Sequence, residues 1–386
     1  MKPPSGRDRR IGPAFLRQPN FTTFTRNEQM LLNLIRNSGG ISRADMARQT
    51  ELAMQSVVRL IDGLIARGVV AGGEKVIRGP GQPSLSIRLV PDAAFAFGVS
   101  ISTDAVSIML MDLAGCVRAS SFQPMDVSAR EAVVDHIRKT LACLLQETQV
   151  DRSRLFGVGV ATTGYFIGSA RINTPATMGA WALEDLEEQL AEAFDLPVWV
   201  ENDGNAAAAG ESLYGAGQRY KSFAYIYVAT GLGGGLVLDG ALVRGFCGNA
   251  GELTGLLAPG DRPNRPTLSL LMELVRERGV EISGVAQLAN QLEMGWPGVE
   301  TWLERTRAAT TAIVSSIAAI MDPEAIIIGG LLPRPLATEL AKRVSFYEVP
   351  LRDRERPFPI VLAAETPGDA ATLGAAAIPL KEHFFG

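Results

Sequence analysis

Apolar residues first fall into a helical rhythm at Met30, Leu31, Leu34 and Ile35, in a segment opened by Thr25-Arg26-Asn27 and stopped by Ser38-Gly39-Gly40. A second helix is predicted over Ile41 to Ala47, with Ser42 as N-cap and Asp45 at its third helical position, a variant of the capping box. After Thr50-Glu51-Leu52 the rhythm resumes from Ala53 to Arg67, where Val57, Leu60, Ile61 and Leu64 share a face. Three short helices in this order, the last two joined by a tight turn, spell a helix-turn-helix. Gly68-Val69-Val70 closes the third helix. Val76 to Leu89 then predicts a β-hairpin broken at Gly79-Pro80-Gly81-Gln82-Pro83, which has the form of a wing.

From Ala94 the pattern turns strand-like. Phe95 to Ile101, Ala105 to Met111 and Cys116 to Arg118 predict a meander that turns at Asp112-Leu113-Ala114-Gly115. A second meander begins at Phe223 to Val228, passes through Gly231 to Leu238, turns at Asp239-Gly240 and ends in Ala241-Leu242-Val243. Two similar units, each followed by helices and further strands, predict a two-lobed α/β body with a cleft between its halves.

Charge divides the chain at the same place. Residues 1–90 carry fourteen Lys and Arg against six Asp and Glu, or +8, whereas 91–386 carry twenty-three against thirty-five, or −12. A basic head on an acidic body suits a nucleic-acid-binding module joined to a part that does not bind nucleic acid. Cys116, Cys143 and Cys247 lie far apart, which indicates neither a disulfide framework nor a zinc ribbon. The start of the chain has positive charge without an apolar run behind it, and no later stretch has the uninterrupted length of a membrane helix. A cytoplasmic protein with no membrane partner is expected.

The head resembles the DNA-binding domain of the ROK family (repressors, open reading frames and kinases). Gln82 stands where that family's wing turn usually has arginine. The resemblance continues over nearly all of 91–386. Gly157-Val158-Gly159-Val160-Ala161-Thr162-Thr163-Gly164 is similar to the strand and loop that face the sugar, with Thr163 in place of the usual proline. Glu201-Asn202-Asp203-Gly204-Asn205 is similar to the family's Glu-Asn-Asp-x-Asn block, and Gly251-Glu252 to its Gly-Glu pair. Asp322-Pro323-Glu324 leading to Gly329-Gly330 resembles the turn beside the nucleotide's adenosine. The fold this implies is an N-terminal winged helix-turn-helix followed by a two-lobed actin-like ATPase (ribonuclease-H-like) α/β fold.

The resemblance implies that Gly164, Asn202, Asp203 and Glu252 bind a sugar, whose hydroxyls call for converging carboxylates and amides. In the family's kinases the residue matching Asp203 takes the proton from the sugar hydroxyl. Taken alone, Asp203 before Gly204-Asn205 also reads as a helix cap. Phosphoryl transfer further needs backbone N–H groups that approach the phosphates closely, and glycine permits that approach. The family's Asp-x-Gly-Gly-Thr loop is here Ser100-Ile101-Ser102-Thr103-Asp104, without its aspartate or glycines and with a carboxylate where phosphate would lie. Gly231, Gly233 and Gly234 of the second loop persist and, with Gly329 and Gly330, read as a vestigial nucleotide site. The family's zinc histidine is Gly255 here, and its Cys-rich loop is Asp261-Arg262-Pro263-Asn264-Arg265-Pro266, so neither a metal nor another cofactor is expected.

The expected organisation is a flexible basic arm at 1–25, a winged helix-turn-helix at 26–90, one lobe at 91–215 and a second at 216–386 whose C-terminal helix returns to the first. The expected function is that of a sugar-responsive transcriptional regulator, a repressor, acting as a homodimer or dimer of dimers on operator DNA. Its DNA contacts would come from Arg43, Gln55, Ser56, Arg59, Arg78 and Gln82. The alternative is an ATP-dependent sugar kinase with Asp203 as base.

Overall fold

In the computed structural model, residues 24–76, 84–167, 171–347, 352, 354, 356–366 and 368–385 are described. The 1–25 arm falls almost wholly outside them, as do Arg78, Gln82 and the wing turn.

The head is built from locally coded caps. Thr25 closes a full capping box with Glu28 at the start of α1 (Arg26–Ser38), and Gly39 ends it in the left-handed conformation. β1 (Ile41–Ser42) leads into α2 (Arg43–Gln49), where the Ser42 hydroxyl accepts the Asp45 amide at 3.1 Å. α3 (Met54–Ala66) buries Val57, Ile61 and Leu64, with Leu60 packed partly against the same core. The hairpin starts earlier than its sequence suggests: β2 is Val70–Val76 and β3 is Ser84–Leu89. Gly72 and Gly73 lie within the strand at a register shift, and the Leu85 and Arg88 side chains pack where their Cβ atoms would be.

The first lobe consists of β4 (Phe95–Ile101), β5 (Ala105–Asp112), β6 (Val117–Pro124), α4 (Arg130–Thr148), β7 (Leu155–Thr162), β8 (Tyr165–Ile167), β9 (Arg171–Asn173), α5 (Leu186–Phe194), β10 (Val198–Asn202) and α6 (Asp203–Tyr214). Its sheet runs in the order β10-β7-β4-β5-β6, antiparallel across β4-β5-β6 and parallel across β4-β7-β10.

The second lobe repeats that plan with β11 (Phe223–Val228), β12 (Leu232–Leu238), β13 (Ala241–Val243), α7 (Leu268–Arg276), α8 (Val285–Gln291), α9 (Val299–Met321), β14 (Ala325–Gly330), α10 (Arg334–Arg343) and β15 (Ile360–Ala363), in sheet order β13-β12-β11-β14-β15. Each lobe packs helices on a sheet, and the two largest apolar clusters lie one in each.

The last helix, α11 (Ala370–Leu380), returns to the first lobe and packs against α6, β4 and β7. Small residues permit this. A methyl group on Gly374 would collide with the Ala206 carbonyl and one on Gly210 with the Ala370 carbonyl, so the two helices touch backbone to backbone. Beyond α11, Phe384 and Phe385 sink beneath the head. Phe384 lies 5.1 Å from the Phe24 ring and 4.9 Å from Phe156, and the Phe385 carbonyl accepts Asn33 Nδ2 at 2.9 Å. Leu31, Ile61 and Ile87 of the head thus share one apolar cluster with Phe156, Leu373 and Leu380, which makes the head continuous with the body's core rather than a freely hinged module.

Candidate functional site

A cavity of about 120 Å³ lies between the lobes and is lined by Asp203, Glu252, Asn202, Gly164, Thr163 and Thr103, among others. The four residues matched to a sugar site therefore meet, although they arise from β10, α6 and two separate loops. Asn202 caps α6, its Oδ1 accepting the Asn205 amide at 3.1 Å while its Nδ2 donates to the Gly164 carbonyl at 2.7 Å. Asp203 is the first residue of the helix and not its cap, and so its carboxylate is left to turn into the cavity.

Three buried carboxylates nearby show the difference between holding the fold and facing a ligand. Glu211 is fully buried and accepts the amides of Ala216, Glu365 and Thr366 at 2.8–3.1 Å as well as the Thr366 hydroxyl. Glu201 accepts the Asn202 amide at 3.1 Å, Asn205 Nδ2 at 3.2 Å and Arg244 Nε at 2.8 Å. Both are saturated by protein. Asp203, also buried, accepts among the described residues the Thr163 hydroxyl at 2.7 Å and the Gly204 amide at 2.8 Å. Burial pushes its pKa up to about 6 against those two bonds, with the charge of Glu252 adding to the rise. Glu252 is exposed at the cavity mouth, and its own pKa is raised by partial desolvation.

The opposite edge of the cavity carries the altered first loop. Thr103 Oγ1 meets Thr230 Oγ1 of the second loop at 2.5 Å, and Ser269 Oγ holds the Thr230 carbonyl at 2.7 Å. Asp104 does not face the place where phosphate would lie. Its Oδ2 accepts the Ala286 amide of α8 at 2.9 Å, because an uncapped helix start in the other lobe offers a better partner than solvent. Gly231 and Gly233 line the cavity, whereas Gly234 is packed against Leu253 and the Tyr225 carbonyl. Gly329 and Gly330 lie away from the cavity, where the Gly330 amide donates to the Tyr225 hydroxyl at 2.9 Å. Around Gly255, the 261–266 loop is held by arginines. Arg305 Nε donates to Asn264 Oδ1 at 2.9 Å and Arg262 Nε to the Leu257 carbonyl at 3.3 Å, and no metal-holding cluster occurs among the described residues.

On the head, Gln55 and Arg59 project from the exposed face of α3, and Ser56 is half-buried. Arg43, expected to contact DNA, is paired with Asp62 at 2.6 Å.

Several contacts between the lobes had no visible signal in the sequence. Asn249 exchanges two hydrogen bonds with the Phe166 backbone, at 2.7 and 2.9 Å, and Arg244 reaches Glu201 from the same loop. Only the departure of Thr163 from the family's proline pointed to the hydroxyl that now occupies Asp203.

Residues 96–263 match the sequence profile described as "ROK family". The uncharacterized protein y4fQ of Sinorhizobium fredii is 29% identical over 363 residues, which span 93% of this chain and 92% of that one. The xylose repressor of Bacillus subtilis is 25% identical over 228 residues, 59% of each chain. A solved ROK family transcriptional regulator, a homologue of the Escherichia coli MLC protein, superposes with a TM-score of 0.67 at 20% identity, covering 93% of this chain and 96% of that one. That likeness includes the head together with both lobes of the actin-like body.

Proposed function

Because the chain belongs to the ROK family, we propose that it is a sugar-responsive transcriptional regulator, a repressor that works in the cytoplasm as a homodimer or a dimer of dimers on operator DNA. The observation that carries this reading is the unequal fate of the two edges of one cleft. Asp203 and Glu252 remain available to a polyhydroxylated ligand, while the positions that would cradle phosphates are spent on bonds between the lobes. A cavity of about 120 Å³ is smaller than the ~300–1,000 Å³ of ordinary ligand clefts. A sugar must therefore part the lobes to enter, and it can shift the equilibrium only by its differential affinity for the two states, typically about 1–3 kcal/mol.

The route from cleft to head is short. α6 begins at Asp203, packs backbone to backbone on α11, and α11 ends beneath the head. Dimerisation belongs to this reading because helix-turn-helix heads read paired half-sites.

The test is retardation of DNA fragments by the full chain at several salt concentrations, with and without a panel of pentoses, hexoses and their amino derivatives. Xylose is first in line because the similar Bacillus protein bears the name xylose repressor. Salt-dependent retardation relieved or enhanced by one sugar is expected. ATP-dependent turnover of any of these sugars at about 1 per second or more would replace this reading with the kinase one.

A further inference from the structure

We infer that the recognition face of α3 reads thymine through its 5-methyl group, with Met54 and Val58 as the specificity-determining residues; this rests on the DNA-binding reading above. The apolar stripe of α3 is wider than the head's core requires. Val57, Ile61 and Leu64 fill the head's core, yet Met54 and Val58 stand 48% and 37% exposed among the described residues. They are four residues apart and form the solvent-facing edge of that stripe, a row about 6 Å long at 1.5 Å per residue. Gln55 and Arg59 form the parallel row beside it, and neither has an ion pair or hydrogen bond among the described residues.

The occupant of this face is set by charge. Residues 1–90 carry +8, and an unpaired guanidinium borders the apolar row, so the complementary surface is anionic. An anionic surface that also presents isolated methyl groups is the major groove of DNA, where the thymine methyl is the one apolar feature of the base edges. The neighbouring row suits the same groove, since a glutamine amide matches adenine and a guanidinium matches guanine. At 3.4 Å per base step, a row about 6 Å long spans roughly two base pairs. Each half-site therefore carries thymines within about two steps of each other, next to an adenine or guanine read by Gln55 or Arg59.

The experiment selects bound duplexes from a random-sequence library with the full-length protein. Each thymine of the selected half-site is then replaced in turn by deoxyuridine, which differs only by the missing methyl. Removing one buried methyl is expected to weaken binding of the parent about 4-fold at one or two positions. Met54→Ala and Val58→Ala should each abolish the discrimination at one of these positions. Arg59→Ala should weaken binding while leaving the discrimination intact. All three positions are exposed, and unchanged thermal unfolding will show that the variants are folded. Selected duplexes that tolerate deoxyuridine everywhere, or thymine preference surviving undiminished in both Met54→Ala and Val58→Ala, would overturn the inference while leaving DNA binding in place. Failure to retain any duplex would overturn the DNA-binding reading, and the inference with it.

Discussion

The two edges of the interlobe cleft began from the same requirement, polar groups turned toward a ligand, and they now differ in what satisfies those groups. On the phosphate edge, hydroxyl meets hydroxyl at Thr103 and Thr230, and carboxylate meets helix amide at Asp104 and Ala286. On the sugar edge, Asp203 keeps a raised pKa and two hydrogen bonds where the neighbouring Glu211 has four. The comparison teaches that a loop without the family's phosphate-binding glycines need not leave a void. Thr103, where the family has glycine, and Asp104 bind the two lobes to each other, whereas the Asp203 carboxylate keeps acceptor capacity turned into the cavity.

The sharpest way to break the comparison is to remove Asp203. Asp203→Ala should weaken the effector about 100-fold, the loss of two charged hydrogen bonds, as read by titration calorimetry. An unaltered affinity would place the ligand elsewhere. Next is the fastening on the sugar side. Arg244→Met leaves Glu201 buried without its cation and should cost about 2 kcal/mol in denaturant unfolding, less than a fully buried pair because the arginine is partly exposed.

A smaller effect separates the carboxylates by pH. The folded pKa of Asp203, about 6, lies above its unfolded value, so burial of the charge costs stability above pH 6. That cost is relieved as pH falls through 6, when the native state takes up the proton first. Relative to Asp203→Asn, the parent should gain about 1 kcal/mol between pH 7 and pH 5, and a change in the opposite direction would contradict the assignment. The smallest effect belongs to the phosphate edge. Thr103→Val should lower unfolding stability by about 1 kcal/mol yet tighten effector binding by up to about 5-fold, because the lost bond opposes opening. Weaker effector binding in this variant would show that the edge supports the ligand directly.

Legibility in the sequence followed distance along the chain. Thr25 and Ser42 announce their helices because a cap acts over three residues, and both meanders are declared by apolar runs punctuated by Gly and Asp turns. β2 was obscured because Gly72-Gly73 carries the ordinary signal of a turn, and the side chains that fill the gap, Leu85 and Arg88, lie across the hairpin. Resemblance gathered Asn202, Asp203 and Glu252, but which of the first two caps α6 depends on backbone geometry that the residue types do not determine. Thr103 and Thr230 stand 127 residues apart, so their pairing had no local trace. The tie between the head and Phe385 spans 352 residues and was hidden in the same way.

The contact between α6 and α11 decides how faithfully the machine transmits. Side chains normally act as cushions between helices, since a rotamer can give way before a neighbour is pushed. Where Gly374 meets Ala206 and Gly210 meets Ala370 there is no cushion, and a shift of one helix is delivered to the other without backlash. A linkage so free of play tolerates little wear: one added methyl group at this joint must drive the two backbones apart, and so displaces the helix that begins at Asp203 from the one that ends beneath the head.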